Sequence, residues 1–192
     1  SINVEIIIKS QKYLKNKVKY ILIGNIEDLR KDLKSLKSKV EINEIFDPYD
    51  FTKCKKIKLN LYNVEKISSE KYKNLINQIK VSNRLSVSTG IDLITMPINK
   101  SLFKKKINFT GMTEYLAHIN KKNTFMLMCG ENFSVIPLTT HINPMKVHQT
   151  ITKQKLKKKI NLLLNELKKI NYRKYFKEIK FLCYNPHCGE NG

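Results

Sequence analysis

The chain is 192 residues long with 41% hydrophobic and 28% charged residues and a formal net charge of +21. That composition fits a globular chain with a sizeable core; no apolar run is long enough to cross a bilayer and no leader pattern opens it, so a cytoplasmic location with no membrane partner is expected. The charge invites a nucleic-acid reading, but only Arg30, Arg84 and Arg173 are arginines and the lysines are spread evenly, so a solvated surface is expected instead.

Periodicity then alternates between helix and strand. Val4 to Leu14 is helical, Tyr20 to Gly24 is a short apolar run suited to a buried parallel strand, and Ile26 to Leu36 is helical again. The alternating Ile57 to Tyr62 predicts a strand, and Ser68 or Ser69 is placed to cap a helix running to Leu85. Ile91 to Thr95 predicts a strand ending at Pro97, and Thr113 to Ile119 a helix. Thr124 to Cys129 and Phe133 to Thr140 predict a hairpin around a Gly-Glu-Asn turn. Leu156, Ile160, Leu163, Leu164, Leu167 and Ile170 form one apolar helical stripe, which reads as core; Ile179 to Tyr184 predicts the last strand. Such alternation implies an α/β fold with a largely parallel sheet and helices on both faces. The polar stretch from Lys104 to Asn108 is the candidate hinge, dividing a first α/β region, 1–110, from the start of a second, 111–192.

Ligands of open α/β sheets bind beyond the carboxyl ends of strands. Three predicted exits carry polar residues: Met96 to Lys100, Thr139 to His141, and Asn185 to Glu190, which holds His187. Imidazoles past strand ends suit a divalent metal, so His141 and His187 are candidate ligands, against the plainer reading of hydrogen-bonded structural histidines. His118 and His148 have no such placement. Cys54, Cys129, Cys183 and Cys188 contain no Cys-x-x-Cys pair and read as reduced, mostly buried thiols.

Four segments carry a resemblance. Thr95-Met-Pro-Ile-Asn-Lys100, Phe109-Thr-Gly-Met-Thr-Glu-Tyr-Leu-Ala117, Thr139-Thr-His141 and Asn185-Pro-His-Cys-Gly-Glu-Asn-Gly192 resemble, in order, motifs of the 4-hydroxythreonine-4-phosphate dehydrogenase family, and Ser1 to Ile6 is similar to that family's Gly-Ile-Gly-Pro-Glu-Ile. The resemblance implies a fold like isocitrate and isopropylmalate dehydrogenases. It also implies an active site at a homodimer interface, NAD or NADP as oxidant, and a divalent metal (zinc, magnesium or cobalt) on three histidines. The implied reaction oxidises the C3 hydroxyl of 4-phosphooxy-L-threonine and releases carbon dioxide, in vitamin B6 synthesis.

Residue by residue, His141 and His187 match metal ligands, and Thr113 matches a substrate-binding threonine. Met112 stands where the family has a substrate-binding histidine and cannot donate a hydrogen bond. Lys100 is a candidate for holding a phosphate or alkoxide, with a solvated lysine as the plainer reading. Asn185 and Glu190 are candidates for orienting the His187 loop, and Glu114 reads as favouring its helix's first turn through the macrodipole. The chain begins inside one family motif and ends just after another. The third metal histidine and the family's Lys, Asn and Arg substrate ligands have no counterpart in it, so a partial chain, inactive alone, is expected. The alternatives are a dehydrogenase of another four-carbon phosphorylated acid, a decayed remnant kept as a scaffold, and a lysine-striped nucleic-acid binder.

Overall fold

In the computed structural model the described residues are 2–14, 17–103, 111–169 and 178–182. The chain divides into two compact units, Ser1–Asn108 and Phe109–Gly192.

The first unit is built on a parallel three-stranded sheet of order β1-β3-β2, with β1 at Leu22–Gly24, β2 at Ile42–Glu44 and β3 at Leu59–Asn63. Leu22 stands opposite Leu61 and Ile42 opposite Leu59, so the pleat sends all four to one face. Helices α1 (Ile2–Leu14) and α2 (Ile26–Ser35) cover that face. Val4, Ile7 and Ile8 of α1 and Ile26, Leu29 and Leu33 of α2 recur at helical spacing and pack with the sheet leucines. Leu59 is fully buried and Leu61 nearly so; each contributes about 1.5–3 kcal/mol by leaving water.

The opposite pleat of β3 is polar. Asn60 is buried, accepts from the Lys55 backbone N–H at 2.8 Å and from Asn43 Nδ2 at 2.9 Å, and donates to the Lys55 carbonyl at 3.2 Å. These bonds fix the connection entering β3 to the sheet. Asn25 closes the N-terminus of α2: its side-chain oxygen accepts from Asp28 N–H, and its amide donates to Val64 O.

Helix α3 (Lys71–Thr89) ends at Gly90, whose φ of 70° is the left-handed conformation that glycine adopts without a Cβ penalty. The expected Ser68 or Ser69 cap gives way to Glu70 at the N-cap position, with no side-chain cap bond. Ser68 lies two residues earlier, where its hydroxyl accepts from Glu70 N–H and Asn74 bridges Ile67 and Ser68.

The expected strand Ile91 to Thr95 does not form, and the described part of Ile179 to Tyr184 carries none. Residues 91–95 have no regular structure, with Ile94 85% exposed; residues 179–182 likewise, with Leu182 87% exposed, and Cys183 and Tyr184 lie outside the described residues. Alternation describes a strand's faces but cannot supply the neighbour its backbone must pair with.

The second unit contains α4 (Met112–Asn120), a two-stranded antiparallel hairpin of β4 (Met128–Cys129) and β5 (Ser134–Val135), the short α5 (Val147–Thr150), and α6 (Lys153–Lys169). The hairpin appears where expected but far shorter than the two apolar runs suggested. Leu167 of the α6 stripe is buried, whereas Leu156, Ile160, Leu163 and Leu164 are half-buried; Ile170 lies outside the described residues. Cys129 is exposed and Cys54 half-buried, so neither described thiol is buried as expected; Cys183 and Cys188 lie outside the described residues. Among the described residues no helix is long and apolar enough to cross a membrane.

Candidate functional site

Helix α4 starts at Met112 with Gly111 in the N-cap position, and no side chain caps it. A family-like threonine, Thr113, and a carboxylate, Glu114, therefore occupy its first turn, where the amide dipoles favour negative charge. Met112 and Thr113 are half-buried.

The loop after β5 brings a second sequence motif to this turn. Thr140 Oγ1 donates to Glu114 Oε1 at 3.2 Å. His141 Nε2 stands 3.9 Å from the same oxygen, beyond hydrogen-bond range, with its side chain 44% exposed. His141 itself has φ 54°, in the left-handed region that residues with a Cβ adopt uncommonly and histidine more readily than most.

Gly111 explains how these groups approach. Its φ of −168° is ordinary extended backbone, so the requirement is spatial. A Cβ at this position would lie 2.6 Å from Glu114 Oε2 and 3.4 Å from His141 Nε2.

The exposed His141 imidazole beside the first turn of α4 is a donor of the kind that suits a divalent cation and fits that group as one ligand, while Glu114 ties its loop through Thr140. Among the described residues no cluster of three or more His, Cys, Asp or Glu forms around it. His187, Asn185 and Glu190 fall outside the described residues.

The other sequence candidates lie elsewhere. Lys100 opens a short 3-10 turn, Lys100–Phe103, in the first unit. His118 is in the last turn of α4 and His148 in α5, both exposed. Of the three polar exits, only Thr139 to His141 follows a described strand, and β5 stops at Val135 before it. Tyr115, beside Glu114 in sequence, has its phenol pushed above the usual range by burial.

A concavity of about 360 Å³ opens along the same loop, between Leu138, Thr140 and Ile142 and the α6 residues Lys155, Lys159 and Leu162. His141 and Glu114 do not line it. Lys159 Nζ donates to Leu138 O and so ties α6 to the start of the loop.

Glu114 is the residue that sequence reasoning undervalued. Its partner Thr140 is 26 positions away, and no local pattern links them. The signal was the shared presence of both within the matched motifs.

Comparison with known proteins places these motifs in context. The profile of the family described as "Pyridoxal phosphate biosynthetic protein PdxA" matches residues 2–192. A 4-hydroxythreonine-4-phosphate dehydrogenase from Sulfurihydrogenibium sp. is 32% identical over 201 residues, which take in 100% of this chain and 62% of that protein. A relative from Bradyrhizobium diazoefficiens, provisionally named D-threonate 4-phosphate dehydrogenase, is 32% identical over 102 residues, covering 52% of this chain and 29% of that one. The crystal structure of a 4-hydroxythreonine-4-phosphate dehydrogenase from Burkholderia phymatum shares the fold, with a TM-score of 0.66 at 21% identity over 82% of this chain and 52% of that chain. The chain thus spans 62% of the Sulfurihydrogenibium relative's length and 52% of the solved Burkholderia chain.

Proposed function

Because the chain belongs to the pyridoxal phosphate biosynthetic protein PdxA family, we propose that it contributes to the oxidation of 4-phosphooxy-L-threonine at its C3 hydroxyl in vitamin B6 synthesis. The observation that supports this reading is the meeting of two distant motifs in one place: Gly111 and Glu114 of the first with Thr140 and His141 of the second.

The chemistry is a two-electron oxidation. C3 would give up a hydride and its hydroxyl a proton to solvent, and the resulting β-keto acid would lose carbon dioxide and take up a proton at C2 to give 3-amino-2-oxopropyl phosphate. When bound, a divalent cation supplies Lewis acidity at the reacting oxygen, and NAD or NADP supplies the hydride acceptor. His141, with His187 by motif, would hold the cation. Thr113 offers a hydroxyl at the open end of α4, and the first-turn amides there favour an anionic group of the substrate. The family's homodimer, with its site at the subunit interface, belongs to the same proposal.

Met112 favours a second reading. Its thioether removes the histidine donor of the family motif, and the Bradyrhizobium relative shows that a name for a different four-carbon phosphorylated acid occurs among similar sequences. Under this reading the same groups oxidise a related acid.

The test uses the protein as its gene encodes it, beside a His141→Ala, His187→Ala double variant. Metal content and nicotinamide-dependent turnover are measured on both substrates. Loss of both in a folded variant is the expected result. A parent that holds metal but turns over only the alternative acid moves the assignment to the second reading. A parent without metal or turnover overturns both.

A further inference from the structure

The geometry points to Glu114 as a positioning residue that sets His141 through the hydroxyl of Thr140, with Gly111 kept free of a side chain to admit its carboxylate. This rests on the reading of His141 as a cation ligand.

The loop that carries His141 has no regular structure, and its imidazole is well exposed. A ligating histidine needs an orientation fixed by its neighbours. Among the described residues the bond from Thr140 Oγ1 to Glu114 Oε1 is a direct tie from helix α4 to the residue before His141. It joins positions 26 residues apart, so it constrains the loop against a rigid element and not merely against itself.

The carboxylate does not grip the ring. At 3.9 Å, Oε1 is too far to accept from His141 Nε2, which leaves that nitrogen uncommitted to Glu114. The hold is therefore on the loop backbone through Thr140, at the point where His141 adopts φ 54°.

Gly111 separates this role from the plainer one. A glutamate that only answered the helix dipole could turn outward and would tolerate any N-cap residue. Here a Cβ at 111 would press on Glu114 Oε2 at 2.6 Å. Because that atom is the end of a flexible side chain, Gly111→Ala relieves the clash by moving the carboxylate, without changing its chemistry.

Four variants of the whole protein test the inference: Glu114→Ala, Glu114→Gln, Thr140→Val and Gly111→Ala. Two readouts are taken, cobalt(II) affinity by chelator competition and hydrogen exchange of the 139–142 segment without added metal. Glu114→Ala and Thr140→Val each weaken cobalt binding about tenfold and speed exchange. Their combination is no worse than either alone, because one bond is lost once. Glu114→Gln stays near the parent, since its amide oxygen still accepts from Thr140, and Gly111→Ala behaves like Glu114→Ala. Parental behaviour of Thr140→Val, or a Glu114→Gln as impaired as Glu114→Ala, overturns the inference. A parent that binds no cobalt overturns the metal reading alone, and the exchange data still decide whether Glu114 holds the loop.

Discussion

The two units bury their chains very differently. In the first, β3 runs through a sealed layer, with Leu59 at 0% and Leu61 at 2% exposure under two amphipathic helices. In the second, the hairpin strands are two residues each, and Met128 on β4 is 50% exposed. Yet the second unit holds the converging Gly111, Glu114, Thr140 and His141. Among the described residues, most of the deeply buried apolar side chains lie in the first unit and the candidate chemistry lies in the second. Reactive groups sit on loops and helix ends because a site must reach solvent, whereas a packed parallel strand has no polar group to spare.

That contrast can be broken most forcefully at Leu59. Replacing it with alanine opens a cavity under α1 and α2 and should cost about 2–5 kcal/mol of unfolding free energy, read from urea denaturation. A cost below 1 kcal/mol would mean that the sheet layer is not the seat of stability.

Asn60→Leu should come next. It keeps the bulk but removes the partner of the Lys55 amide and carbonyl, a loss of about 1–3 kcal/mol in the same assay. Removing the α2 cap with Asn25→Ala should cost about 1 kcal/mol, with the melting temperature lowered accordingly. A neutral result there would show that the bond to Val64 and the cap do not matter to the first unit.

The second unit should respond in the opposite way. His141→Asn keeps a side chain tolerant of φ 54° and should change stability by less than about 0.5 kcal/mol while abolishing cation binding. Isothermal titration with zinc alongside thermal melting checks both halves of that statement. If stability falls as far as in the Leu59 variant, His141 is a structural residue and the contrast collapses. Lys66 gives the smallest effect: its pKa is raised by its hydrogen bond to Asp28, but its ion pairs with Asp28 and Glu27 are exposed, so Lys66→Met should leave the urea midpoint unmoved.

How much of this was legible beforehand depends on the range of the interactions. The stripes of α1, α2 and α6 repeat at three and four residues, and those helices appear within a few residues of the expected bounds. The strand from Tyr20 to Gly24 shortened to Leu22–Gly24, and β2 at Ile42–Glu44 was not anticipated at all. Ile91 to Thr95 had the right alternation and no partner among the described residues, so it remained irregular. The exit rule picked out the His141 loop, but for Met96 to Lys100 it rested on a strand that does not form.

By itself the sequence determined the family, through motifs whose residue types and order are local facts, and it determined the longer helices, whose hydrogen bonds close within four residues, though not the short α5. Only the tertiary structure decided which apolar runs became strands, because strand pairing joins residues that are remote in the chain. Only it decided that Glu114 meets Thr140 and lies near His141, and that Gly111 is glycine for space and not for conformation. Those relations are distances between separate segments, and no spacing along a chain encodes a distance across it.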